Sequence, residues 1–321
     1  MTIRTHTRWL LLSLLLLFSL LSGCSDAPAA EDSASQQEST WGLVFGQPPD
    51  TAAVVSEAPN ASAAEAGTME LSGLDESLTD ALISGGAIRQ AMEDYDIPQD
   101  SSAFEALKRI NSVYAEALSE EQKAGLLVFL FEGAGENTDP QERKDAMCVV
   151  VQNGEILFLS RCCSTIPDYP FSPWKNDSDD VPTLKSGIYS FDTVNHNGRY
   201  AALRVLGDQV VRFHDNDEFY SDVSNNQSIQ VHRRGHEENS PDDEVWANSI
   251  GCLLVGHAGT DPEDDYATFA RAVGILKEGS SGSTPYEAQS YGTLIVDRSL
   301  GADYLRAVGY PDEAIAALEG N

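Results

Sequence analysis

Positive charge is what this chain has least of. Its 321 residues carry 20 Lys plus Arg against 51 Asp plus Glu, a formal net charge of −31. Phosphate contacts need clustered Lys and Arg, so the balance argues against nucleic acid as a partner. It argues equally against polybasic attraction to anionic lipid. Cysteine is scarce, with five residues and no Cys-x-x-Cys, and adjacent Cys162-Cys163 are poor joint zinc ligands. His232 and His236 have four-residue spacing, but Gly235 lies between them and no Glu follows His232. The metalloprotease helix is therefore absent, and no zinc site is expected. Gly133-Ala134-Gly135 is followed by no Gly-Lys-Ser/Thr, so it is not a phosphate loop. The N-terminal apolar run, Trp9 to Leu21, has 13 residues, too few to cross about 30 Å of hydrocarbon as a helix. Against these shortages stand 41% hydrophobic and 22% charged residues, enough for a sizeable core. At roughly 150 residues per domain the length suggests about two domains.

The start of the chain reads as an address. Arg4 and Arg8 precede the apolar run, which fits the h-region of a signal peptide over residues 1–23. Leu21-Ser22-Gly23-Cys24 then resembles the bacterial lipobox. That resemblance implies lipidation at Cys24, attachment to the membrane through an N-terminal lipid, and an extracytoplasmic location. Residues 24–68 are rich in Ala, Ser, Glu, Asp and Pro, and 25–68 contain no Lys or Arg. Such a composition buries too little apolar surface to offset chain entropy, so this stretch is read as a flexible acidic linker.

The expected fold class is α+β. A small helical module is assigned to 69–138 and a mainly β domain, a sandwich or partly closed barrel, to 139–321. Leu74, Leu78, Leu82 and Ile83 keep helical spacing until Gly85-Gly86, and Phe104, Leu107, Ile110, Tyr114 and Leu118 form one stripe. Ser119 with Gln122 is a capping-box pattern that opens an apolar run from Leu126 to Phe131, read here as helix. After 139 the texture turns to short strands. Asn153-Gly154, between Met147–Gln152 and Glu155–Ser160, is a strong hairpin signal. Further strand-like runs begin at Gly187, Tyr200, Val210, Ser228, Cys252 and Gly292, with helical patterns over 266–276 and 302–318. In an exported protein Cys148 and Cys163, which bracket the hairpin, are candidates for a disulfide, with Cys162 as the alternative.

Chemistry concentrates in two segments. Ile229-Gln230-Val231-His232 ends a strand-like run with an imidazole, and Gly251-Cys252 opens another after a polar, acidic loop. A thiol nucleophile needs a base for its proton, and a preceding Gly lets the backbone turn so that amides approach a developing oxyanion. His232 followed by Ser249-Ile250-Gly251-Cys252 is similar to the His…Ser-x-Gly-Cys signature of L,D-transpeptidase (YkuD-like) catalytic domains. Pro182-Thr183-Leu184-Lys185-Ser186-Gly187-Ile188-Tyr189 resembles that family's upstream Pro-Thr…Gly-x-Tyr strand, and Ser164-Thr165 its Ser/Thr-rich strand end. The resemblance covers roughly residues 145 to 297. It implies Cys252 as nucleophile and His232 as base, with the imidazole oriented by the carbonyl of Arg233. Amides around Gly251 and Cys252 would form the oxyanion hole, Ser249 with Gly251 would shape the turn or Ser249 would instead donate to the substrate, and no metal or organic cofactor is implied. The implied partner is a peptidoglycan stem peptide, acylating Cys252 and then passing to an amine. Two departures bear on the substrate: Ile250 stands where the family has His, and Leu254 where it has Arg. Arg233 and Arg234 are the candidate substrate-binding replacements. The alternatives are a non-catalytic wall-peptide-binding lipoprotein on the same fold and an L,D-carboxypeptidase.

Overall fold

Ser84 and Ser101 cap the first two described helices. The computed structural model describes residues 81–136, 145–167, 181–213, 219–222, 229–233, 249, 251–256 and 264–320. The leader with Cys24, the linker, Arg234, the acidic loop, His236 and Ile250 lie outside the described residues. Helix α1 (Gly85–Asp94) begins where Ser84 Oγ accepts the Ala87 amide. The glycine pair expected to interrupt a helix therefore lies in the first turn, beside a side-chain cap. Leu82 and Ile83 are not helical. Ile83 bridges Gly154, and Asn111 holds its backbone, accepting from the amide at 3.0 Å and donating to the carbonyl at 2.8 Å. Helix α2 (Ser102–Arg109) runs into a π turn, Ile110–Tyr114, and a short α3 (Ala115–Ala117). The expected stripe from Phe104 to Leu118 is buried throughout.

The capping box at Ser119 and Gln122 forms, but it opens only α4 (Glu120–Lys123). The apolar run after it is strand β1 (Leu127–Glu132), not helix. A short continuous apolar run fits a strand buried on both faces as well as a helix, and here tertiary pairing decides. Strand β1 pairs antiparallel with β2 (Ala146–Gln152) and parallel with β11 (Gly292–Asp297). The expected hairpin joins β2 to β3 (Glu155–Ser164), with Asn153 and Gly154 at φ 54° and 83°. Strands β4 (Val181–Leu184), β7 (Val210–Phe213) and β8 (Phe219–Asp222) make a small antiparallel sheet. Strands β5 (Gly187–His196), β6 (Tyr200–Leu206), β9 (Gln230–His232) and β10 (Leu253–Val255) complete an eight-stranded closed barrel, ordered β1-β11-β5-β6-β9-β10-β3-β2. Closure is full rather than partial because β1, read as helix, supplies the joining strand.

Alternation along the strands sorts the core into two faces. Val128, Leu130, Val150, Leu203, Val231 and Leu253 belong to the inner cluster, joined by Tyr266 and Phe269 of α5 (Asp265–Ala272). Leu127, Phe129, Phe131 and Val149 point outward and meet the helical stripe. The 302–318 pattern is two helices, α6 (Ala302–Ala307) and α7 (Asp312–Glu319), separated around Gly309 and Pro311. Asp297 ties the stripe to the barrel: its Oδ2 accepts from Arg109 Nε and Tyr114 Oη, both at 2.8 Å. The described cysteines are free thiols. Cys148 and Cys163 are neighbours inside the barrel, but Cys148 stands opposite Ser160 and Cys163 opposite Ala146. They are diagonal across a bulge rather than face to face, and no disulfide joins them. Among the described residues no helix is long and apolar enough to cross a membrane.

Candidate active site

Strands β9 and β10 run parallel, with Leu253 beside Val231 and Leu254 beside His232. Since Val231 and Leu253 face the inner core, Gln230, His232 and Cys252 share the outer face. Cys252, one residue before Leu253, stands level with Gln230, and its thiol meets the Gln230 backbone. His232 is the next residue along that face, its α-carbon roughly 8 Å from that of Cys252 by strand geometry. The structure thus brings the two expected catalytic residues onto adjacent strands. Among the described residues no hydrogen bond joins thiol to imidazole.

The imidazole is oriented as the resemblance implies. His232 Nδ1 lies 2.6 Å from the carbonyl oxygen of Arg233. A carbonyl only accepts, so Nδ1 carries the proton and Nε2 keeps a lone pair. Burial pushes the His232 pKa down to about 3, helped by the neighbouring His196 and by the Arg233 guanidinium, while the Arg233 carbonyl works against the shift. Burial also pushes the half-buried Cys252 thiol up, opposed by the Gln230 backbone. Both groups are therefore neutral near neutral pH, an arrangement suited to general-base activation rather than a preformed ion pair.

A second ring of residues escaped the sequence reading. Asn197 and Gly198, at φ 49° and 69°, turn the chain between β5 and β6 and set His196 opposite Tyr200. The Asn-Gly dipeptide was a signal that could have found this hairpin. The His196 ring packs on His232 with centroids 4.1 Å apart, and its Nδ1 is 2.9 Å from Gln230 Oε1. Tyr200 Oη reaches to 3.4 Å from His232 Nδ1. The guanidinium of Arg233 lies over the Tyr200 ring, 4.3 Å from its centroid.

The turn before the thiol is built by Ser249, whose Oγ accepts the Gly251 amide at 3.1 Å and donates to the Cys252 carbonyl at 2.6 Å. Its hydroxyl hydrogen serves the turn and does not reach toward a substrate. The Gly251 amide is likewise engaged, so the expected oxyanion hole loses that donor and the Cys252 amide remains the candidate. Gly251 sits at φ 138°, and a Cβ there would lie 2.6 Å from the Pro182 carbonyl oxygen and 2.9 Å from Pro182 Cγ. The Pro-Thr and Gly-Cys segments, 69 residues apart by number, are thus in contact. Gly251→Ala is expected to cost on the order of 1–3 kcal/mol through strain and overpacking. Urea denaturation measures it, and an unchanged midpoint would contradict the packing of Pro182 on this turn.

Ser164 pairs with Leu254 on the other side of β10. Among the described residues no group of three or more His, Cys, Asp or Glu stands where it would hold a metal ion. Against known proteins, the chain matches no family model, no curated protein and no solved structure.

Proposed function

We propose that the protein is a cysteine-dependent acyl transferase of the L,D-transpeptidase type, acting on peptidoglycan stem peptides. In this reading it is held at the outer side of the membrane by a lipid on Cys24. The observation that carries the chemistry is the 2.6 Å bond from His232 Nδ1 to the Arg233 carbonyl, on the strand beside Gly251-Cys252. It leaves Nε2 as a proton acceptor on the face that carries the thiol.

The cycle follows from these groups. The Cys252 proton passes to His232 Nε2 as Sγ attacks a peptide carbonyl carbon. The Cys252 amide is the candidate donor to the oxyanion. The C–N bond breaks, the leaving amine takes the proton from Nε2, and a thioester remains. An amine of a second stem peptide then attacks the thioester and gives its proton to Nε2. Sγ leaves and is reprotonated, and a new amide crosslink is formed. A small rearrangement must bring imidazole and thiol together, as catalytic contacts commonly tighten only on substrate binding.

One observation favours the non-catalytic reading, a lipoprotein that binds wall peptides. Among the described residues no hydrogen bond joins the thiol to His232, and burial pushes the thiol's pKa up, away from the thiolate. Incubation with a carbapenem, read by intact mass, separates the two. The wild-type chain is expected to gain one carbapenem mass and Cys252→Ala none. Absence of an adduct on the folded wild type would leave binding without turnover, and an adduct on both would move the nucleophile elsewhere.

A further inference from the structure

His232 is buried although it stands on the outer face of the barrel, and two aromatic rings lie against it. Its row of the sheet continues as Ala202 on β6 and Val194 on β5, short side chains that leave space above them. His196, the next residue along that face of β5, reaches across this space. Its ring centroid lies 4.1 Å from that of His232, with the planes 34° apart. Its Nδ1 is 2.9 Å from Gln230 Oε1, and an amide oxygen only accepts, so Nδ1 carries the proton. Gln230 precedes His232 by two residues on the same face of β9, and its backbone meets the Cys252 thiol. One side chain, His196, therefore lies on the base and is tied to the residue that touches the nucleophile. The support under His196 is firm. Strands β5 and β6 are paired from Ser190 to His196, Asn195 Oδ1 accepts the Tyr286 amide at 2.9 Å, and the Tyr200 ring lies 5.1 Å from that of His196.

We propose that His196, anchored by Gln230, is a positioning residue that braces the His232 imidazole through its ring face and so holds the base in one orientation beside Cys252. This deepens the acyl-transfer reading and rests on it for the reaction that the braced base serves. The need for a brace follows from the other contact of the ring. His232 Nδ1 bonds the carbonyl of the next residue, itself steadied through Arg233 Nη1 to Ser283 Oγ at 2.9 Å. A single bond at one nitrogen leaves a planar ring able to rock about that point, whereas a second ring packed on its face fixes the plane. A base already fixed in its working plane pays no ordering entropy when the thiol proton moves, and small misplacements of such a group are costly in rate. Because Gln230 both anchors the brace and meets the thiol, base and nucleophile share one reference on β9.

The test uses the full chain with carbon-13 in its histidine rings, and the His232 signal is identified by its loss in His232→Gln. In the wild type the relaxation order parameter of the His232 ring should equal that of rigid backbone, about 0.85, and in His196→Ala it should fall below about 0.6. The first-order rate of carbapenem acylation at saturation should fall with it by about 10–100-fold, while the half-saturating concentration stays within about twofold. His196→Phe, which keeps a flat ring, should restore the order and most of the rate. Gln230→Ala, which only unties His196, should lower both part-way. A rate loss alone fits any disturbance of the fold, so a His232 ring that stays ordered in His196→Ala overturns the brace whatever the rate. A freed ring that acylates at the wild-type rate overturns its part in the reaction. Where His196→Ala does not fold, Gln230→Ala decides by the same two readouts. Absence of an adduct on the wild type, with the order parameters as expected, removes acyl transfer and leaves the brace. An adduct with the His232 ring ordered in every variant does the reverse.

Discussion

Replacing His232 with Gln is expected to slow acylation of Cys252 by a carbapenem by about 10²–10⁴-fold, the usual contribution of a positioned general base. Gln preserves bulk and an N–H for the Arg233 carbonyl but offers no lone pair of comparable basicity. The pH profile is the sharper readout. Because burial holds His232 near 3, the wild-type rate should show no falling acid limb near the ordinary imidazole value of about 6.5. It should instead keep rising with pH as the thiol, pushed above its ordinary value by burial, ionises. Stability carries the same signature with a definite sign. The folded chain disfavours the imidazolium, so the unfolded chain binds more protons between about 3 and about 6.5. The stabilisation is fully present above about 6.5 and is lost as pH falls through that window, at about 1.4 kcal/mol per pH unit. His232→Gln should flatten the slope in urea titrations. Acylation of the variant at the wild-type rate would remove the imidazole from the mechanism.

Arg298→Met is expected to be the most damaging single change to the fold, at about 3–5 kcal/mol, because it leaves a buried carboxylate without its partner. Arg298 is fully buried. It donates to Glu132 Oε2, to the Thr165 hydroxyl and carbonyl, and to the Leu184 carbonyl. One side chain thereby joins β1, the end of β3 and β4 beside the foot of β11. Glu132 is raised to about 7, by burial first, with Arg298 opposing and Asp145 adding to the rise. A raised carboxyl favours the folded state when protonated, so its contribution is present below about 4.5 and is lost as pH rises through about 7. Without Arg298 the opposition disappears, and the variant should lose more stability at pH about 8 than at about 5. Denaturant midpoints at the two pH values check this. An equal loss at both would mean that Glu132 is not the charge left stranded.

The sequence yields local features well and long-range ones poorly. The stripe from Phe104 to Leu118 and the Asn153-Gly154 hairpin are set by neighbours within a few residues, so periodicity and turn chemistry reveal them. Leu127–Glu132 misled because its six residues carry no period of their own. Its partners lie at Ala146 to Val151 and at Thr293 to Asp297, and only their arrival makes it a strand. Ile83 misled similarly, since its bridge to Gly154 and its clamp by Asn111 come from other parts of the chain. At the site, the spacing of His232, Ser249, Gly251 and Cys252 along the chain is what proposes them, and the structure places His232 and Cys252 on or beside neighbouring strands. His196, Tyr200 and Ser283 were not legible, because nothing local distinguishes a residue that meets the imidazole or guanidinium only after the barrel closes. The role of Gly251 also needed coordinates: its φ is accessible from the residue type, but the carbonyl of Pro182 against it is not.

The seam of the barrel has a consequence for biogenesis. Strand β1 stays unmatched on one side until β11 arrives, with Leu127 laid against Thr293. A nascent chain emerging from its N-terminus therefore cannot lock before nearly all of it has been made, and closing so long a loop is intrinsically slow. Under the export proposed above, that delay would keep the chain unknotted and threadable until passage was complete.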